Sequence, residues 1–196
     1  MAKKILGIVL LCMFLISCGG GGTTAGSGQG TLVISLTDVP AGDFTAINVT
    51  VSAVRIHMSA DAGVNDAGWQ ELKLGTPVKI NLLSLQNGIL FSLGQLPLPA
   101  GHYQQIRLLL VPNSGSVPSF NDSVVPALGA QAGVELSLDI QPEDMTGIKI
   151  INQFTVNAGK VADLILDFDG KNSVIQRGDG TYMLQPVISA TIKESP

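Results

Sequence analysis

The chain has 196 residues and a formal net charge of −4, with 13% charged side chains: enough length for one good core and marginal for two. An acidic balance argues against a nucleic-acid partner, whose phosphates demand a basic face. Its only cysteines are Cys12 and Cys18; everything after them lacks disulfides, thiolate metal sites and cysteine nucleophiles, and is stable by packing alone.

The N-terminus is basic at Lys3 and Lys4, then apolar from Ile5 to Ile16, with the small Ser17 before Cys18. This is the layout of a secretory signal, and its apolar run is shorter than the about 20 residues a transmembrane helix needs. The order Leu15-Ile16-Ser17-Cys18 resembles the lipobox of bacterial lipoproteins. That resemblance implies removal of residues 1–17, a diacylglyceryl group on the Cys18 thiol and acylation of the new amine. About three chains, at roughly 0.8 kcal/mol per buried methylene, hold far more firmly than one myristoyl chain. In Gram-negative lipoproteins an Asp after the cysteine often retains the protein at the inner membrane. Gly19 stands there instead, which implies the outer membrane, with the domain facing the periplasm or the exterior.

Residues 19–30, GGGGTTAGSGQG, read as a flexible linker with an r.m.s. span of roughly 20 Å. The expected organisation is therefore a signal peptide over 1–17, lipidated cysteine and linker over 18–30, and a single domain over 31–196.

Within that domain the apolar period is two. Leu32, Ile34 and Leu36 alternate on one face before the turn chemistry of residues 38–43. Ile47, Val49, Val51 and Ala53 form the next inward set; the phase then flips to Val54, Ile56 and Met58. A one-residue slip turns every side chain over, so the flip predicts a bulge or a strand crossing between sheets. Residues 59–68 read as a polar loop. Residues 69–74 and 78–82 read as short strands, Leu82–Leu85 as strand end or helical turn, and Asn87-Gly88 as a tight turn into a strand from Ile89. Pro99, Gly101 and Tyr103 suggest a tyrosine corner, in which the hydroxyl ties the turn to the backbone. Residues 112–133 look like a long surface excursion. Strands follow over 134–140, 148–156 and 161–168, with a helical turn at Pro142. A hairpin over Arg177–Gly180 joins 174–176 to 182–192. About nine to eleven short strands, with turns at intervals of about ten residues, predict an all-β, two-sheet antiparallel sandwich of Greek-key-like, prealbumin-like form.

A family resemblance supports that expectation. The stretches GTLVISLTDVP (Gly30 to Pro40), INLLSLQNG (Ile80 to Gly88), LPAGHYQQIRL (Leu98 to Leu108), LDFD (Leu166 to Asp169) and YMLQPVI (Tyr182 to Ile188) resemble a bacterial lipoprotein-associated family, DUF4382, a domain of unknown function. Shorter segments at Asn48–Val51 and Trp69–Leu72 agree. The resemblance implies a transthyretin-like or carbohydrate-binding-like sandwich and supplies no catalytic or binding residues.

Few residues invite chemistry. His57 and His102 lack the neighbours of a triad or zinc site and read as structural. Asp167 and Asp169 share one strand face beside Asn172, and such oxygen clusters can hold calcium. The full calcium-loop pattern is missing, so the expected cofactor is none, with calcium as the lesser alternative. As a glycosidase pair the same two acids would have to flank a cleft, which nothing in the sequence indicates. Trp69 and Tyr182 are the aromatics available to stack on a sugar; Trp69 more readily plugs one end of the core.

These features together suggest a membrane-anchored, non-enzymatic binding or assembly module that meets an envelope protein or polysaccharide. The alternative is a carbohydrate-binding module using loop aromatics, and a carboxylate-dependent hydrolase comes third. Cys18→Ala is expected to shift the protein out of the membrane pellet. Continued partitioning with carbonate-washed membranes would refute the anchor.

Overall fold

Alternation leaves each strand with one apolar face, and such faces are buried only against one another. A computed structural model of the chain describes residues 28–38, 42–115 and 119–194. Cys18, the signal segment and most of the linker lie outside the described residues.

Twelve strands form among these residues. They are β1 (Gln29–Asp38), β2 (Phe44–His57), β3 (Gln70–Asn81), β4 (Phe91–Pro99), β5 (Gly101–Leu110), β6 (Ser123–Pro126), β7 (Leu136–Ile140), β8 (Ile148–Val156), β9 (Val161–Phe168), β10 (Val174–Gln176), β11 (Tyr182–Leu184) and β12 (Ile188–Glu194). The first sheet has the order β12-β9-β1-β4, the second β10-β11-β7-β6-β2-β5-β8, with β3 on the other edge of β2. The expected two-sheet sandwich forms. Its ladders are antiparallel except at β1–β9 and β7–β11, which are parallel. These partners are far apart in sequence, and long connections through the opposite sheet permit parallel pairing.

The core lies between the sheets. Leu32, Ile34 and Leu36 of β1, with Leu164, Leu166 and Phe168 of β9, are fully buried against Val49, Val54 and Ile56 of β2 and Ile106 and Leu108 of β5. The phase flip in β2 is a bulge at Ser52, present in its ladders with both β3 and β5. The extra residue lets Val51 and Val54 both point inward. Opposite it, β3 loops out between Lys73 and Val78. Leu82–Leu85 forms a 3-10 turn, capped by Asn81 Oδ1 accepting from Leu83 N. Asn87 and Gly88 both have positive φ, 62° and 80°, as a type I′ turn requires.

Several boundaries differ from expectation: the short strands expected over 69–74 and 78–82 join in β3, and those expected from Ile89 and residue 134 begin at Phe91 and Leu136. Gln29 and Gly30 are strand rather than linker, paired with Pro99 and Leu98. A Cβ on Gly30 would lie 2.5 Å from Asn157 O, so only glycine permits that close approach. Residues 112–133 are not wholly a surface excursion: they contain β6, and Asp122, Ser123 and Val124 are fully buried. The run 182–192 breaks between β11 and β12 as the chain changes sheets. Gln185 N donates to Ser173 O and Val187 N to Ser173 Oγ, each at 2.8 Å, which closes the break.

The corner at Ala100, between β4 and β5, is another of the crossings between sheets. Tyr103 is fully buried, stacks on Phe154 at 5.6 Å and donates its hydroxyl to Pro99 O at 2.8 Å. Ala100 N donates to Gly28 O, so the start of β1 and the corner hold each other. Tyr103→Phe keeps the stack and removes one hydrogen bond. It is expected to destabilise the fold by about 1 kcal/mol, a fall of roughly 2–4 °C in a calorimetric midpoint. An unchanged midpoint would show that the bond contributes nothing net.

Candidate functional site

Strands β5 and β6 share one edge of β2. β5 pairs with residues 51–57 of β2, and β6 pairs with residues 44–48. Thr50 lies in the gap, and its N–H needs a partner. Asp122 supplies it: Oδ1 accepts from Thr50 N at 2.8 Å, while Thr50 Oγ1 donates to Asn121 O at 2.6 Å. Asn113 fastens the strap, with Oδ1 accepting from Asp122 N and Nδ2 donating to Asp122 O at 2.7 Å and to Ser137 Oγ at 3.0 Å. Burial pushes the Asp122 carboxyl up to about 7, against the opposing pull of the Thr50 N–H and the Lys79 charge. Its Oδ2 is buried without a hydrogen-bond partner, the arrangement that most disfavours the ionised form.

Outside this junction the surface is concave. A cavity of about 650 Å³ is bounded by Asn113, Phe120, Glu135, Ser137, Asp139 and Thr181. A second, of about 220 Å³, adds Gln131, Asp179 and Tyr182. A third, of about 360 Å³, adds Arg177 and Met145. Asp139 borders all three. Alternation in β7 buries Leu138 and turns Ser137 and Asp139 outward. The hairpin at Arg177–Thr181 closes through Arg177 N to Thr181 O and Gly180 N to Arg177 O, with Gly180 at φ 84°.

Each carboxylate here is held. Asp139 Oδ2 pairs with Arg177 Nη1 at 2.8 Å, and its Oδ1 accepts from Ser137 Oγ. Glu135 Oε1 accepts from Lys79 Nζ at 2.9 Å and from Ser123 Oγ at 2.6 Å; these bonds hold its carboxyl below the usual range. Asp179 accepts from the N–H and hydroxyl of Thr181, which lower its pKa likewise. The groove thus presents acceptors, donors and hydroxyls in fixed positions.

The residues singled out in the sequence lie mostly elsewhere. Trp69 is half-buried on the outer face of the second sheet rather than in the core. Its Nε1 donates to Gly63 O at 2.9 Å, and the Arg55 and Arg107 guanidiniums lie 5.4 and 5.6 Å from its ring centroid. Arg55 and Arg107 are cross-strand neighbours, a repulsive pair relieved by the Trp69 ring and by Glu71, 3.1 Å from Arg55. Trp69 pins its loop. His57 serves the same loop, Nδ1 accepting from Ser59 N and Nε2 lying 3.0 Å from Ala67 O. His102 lies beside Thr155. Tyr182 is buried, edge-on to Phe44 at 5.9 Å, and reaches the groove as wall.

Asp169 caps the single turn α1 (Gly170–Ser173), its two oxygens accepting from Asn172 N and Nδ2 at 3.1 and 2.7 Å. Asn172 turns a donor, not an oxygen, toward Asp169. Burial and then the Asp169 charge raise the Asp167 carboxyl. Among the described residues no three His, Cys, Asp or Glu side chains gather as a metal-binding group. The groove itself was missed because Asn113, Asp139 and Thr181 come from three separated segments. The one local signal was the outward phase of Ser137 and Asp139 between Leu136, Leu138 and Ile140.

The raised Asp122 group has a definite sign. Its stabilising protonated form is fully populated below the unfolded value near 4 and lost as pH rises through about 7. Asp122→Asn keeps an oxygen for Thr50 N and cannot ionise. Its stability relative to the parent should therefore grow between pH 4 and pH 8, by up to about 4 kcal/mol. Denaturant titrations of both proteins across that window check this, and a flat difference would refute it.

The family model described as Domain of unknown function (DUF4382) matches residues 29–186. No curated protein matches, and no solved structure matches. The matched span begins on the first residue of β1 and ends between β11 and β12, so it includes the corner, the Asp122 strap and every residue of the groove. The chain belongs to the DUF4382 family, a domain of unknown function.

Proposed function

We propose that this chain is a membrane-anchored bacterial lipoprotein, a non-enzymatic binding or assembly module of the cell envelope, held at the outer membrane. The Leu15–Cys18 order supports the anchor, and the Gly-rich stretch before β1 supports a short tether. The observation that carries the binding role is the groove around Asp139, where Glu135, Asp139 and Asp179 are each immobilised by a named partner. Carboxylates fixed in this way suit recognition, because general acid–base work needs a group within reach of a reacting proton and tuned near the operating pH.

A photo-crosslinking residue at Thr181, on the groove, is to be compared with one at Ser189, on the exposed face of β12. In intact envelopes the Thr181 position is expected to capture a defined envelope component, and the capture should weaken with Cys18→Ala. Equal capture from Ser189, or indifference to Cys18→Ala, would defeat the reading.

A further inference from the structure

The binding-module reading above leaves the ligand open, and the groove restricts it. We infer that the groove centred on Asp139 binds an uncharged oligosaccharide segment. This inference rests on that reading and names its ligand class.

Size comes first. The main cavity, about 650 Å³, falls within the range of roughly 300–1,000 Å³ common to small-molecule sites, and the two adjoining cavities extend it along β7. An elongated ligand of several similar units fits that shape.

Hydrogen-bonding chemistry is next. A sugar hydroxyl donates and accepts at once, and adjacent hydroxyls are matched by planar two-pronged groups. The groove offers such groups side by side: the Asp139 carboxylate, the Arg177 guanidinium, and the hydroxyls of Ser137 and Thr181. Because Arg177 and Ser137 already orient Asp139, little freedom is lost when a ligand binds. Phe120 and Tyr182, each less than a tenth exposed, add narrow apolar edges to the walls, enough to border a sugar C–H edge but not to form a stacking platform.

Charge narrows the choice. Glu135, Asp139 and Asp179 line the groove against Arg177, with Lys79 held by Glu135 beside it. Carboxylates outnumber cations, so a phosphate or uronate ligand would meet net repulsion. A peptide adding itself as a strand would need an unpaired strand edge. β7 offers only stretches of two or three residues, because β6 pairs with its residues 136–137 and β11 with its residues 138–140.

The test uses the full-length chain in a detergent without a sugar headgroup, labelled with ¹³C on methionine methyls. The probes are maltohexaose, cellohexaose and mannohexaose, with hexagalacturonate as the anionic comparison. Met145 borders the third cavity, whereas Met58 packs by Gly101 at the other end of the sandwich. At least one neutral hexamer is expected to shift the Met145 methyl saturably and leave Met58 in place. Asp139→Ala is expected to weaken that binding by about tenfold or more, the loss of a charged hydrogen-bonding group. Thr181→Val gives the same direction if the first variant fails to fold. The inference falls if no neutral hexamer moves Met145 up to about 5 mM, a limit equivalent to negligible affinity. It also falls if Met58 responds equally or hexagalacturonate binds more tightly. Repeating the titration with Cys18→Ala separates the two readings. Groove binding retained by a variant that still partitions with membranes overturns the anchor and leaves the ligand class standing.

Discussion

The second sheet holds together because a carboxylate takes the place of a strand. Along one edge of β2 the chain leaves the ladder after Leu110 and returns at Ser123, and the Thr50 N–H between them is met by Asp122. An unmet buried N–H costs about 1–3 kcal/mol, and here it would open a seam between β5 and β6. The Asp122 side chain closes the seam at the expense of its own solvation. The same backbone segment, fastened by Asn113, positions Ser137 and the floor of the groove. Sheet continuity and groove shape are thus two results of one hydrogen-bonded junction.

Much of the fold was legible because its signals are local. Alternation in residues 32–36 predicted β1 with the correct inward face, and the strand expected over 161–168 is β9. The phase slip in β2 is a local event; the alternation placed it after Ala53, and the structure puts it two residues earlier, as the Ser52 bulge. Pro99, Gly101 and Tyr103 lie within one turn of each other, and the bond from Tyr103 to Pro99 follows from that proximity.

What stayed hidden depends on residues distant in sequence. β6 is short and polar at one end, and the contact that buries its start links Asp122 to a residue 72 positions away. Neither the parallel pairing of β1 with β9 nor the convergence of three segments on Asp139 leaves a periodic trace. Trp69 shows the same limit: its composition suggested either a core plug or a sugar platform, whereas two guanidiniums from neighbouring strands decide its place. Local pattern specifies strands and faces; long-range pairing specifies sites.

The register of β2 has a mechanical consequence. Its His57 end lies with the corner at Ala100 and the start of β1, where any tether enters, whereas Asn48 lies level with Ser123 and, through it, Ser137. Nine residues of extended strand separate the two levels, roughly 30 Å at the strand rise. For a chain held at Cys18, as proposed above, the sandwich then contributes more to the reach of the groove than the linker, whose nine residues before the described start span roughly 16 Å. Under the proposed anchor, the groove can stand clear of the lipid headgroups without a longer linker.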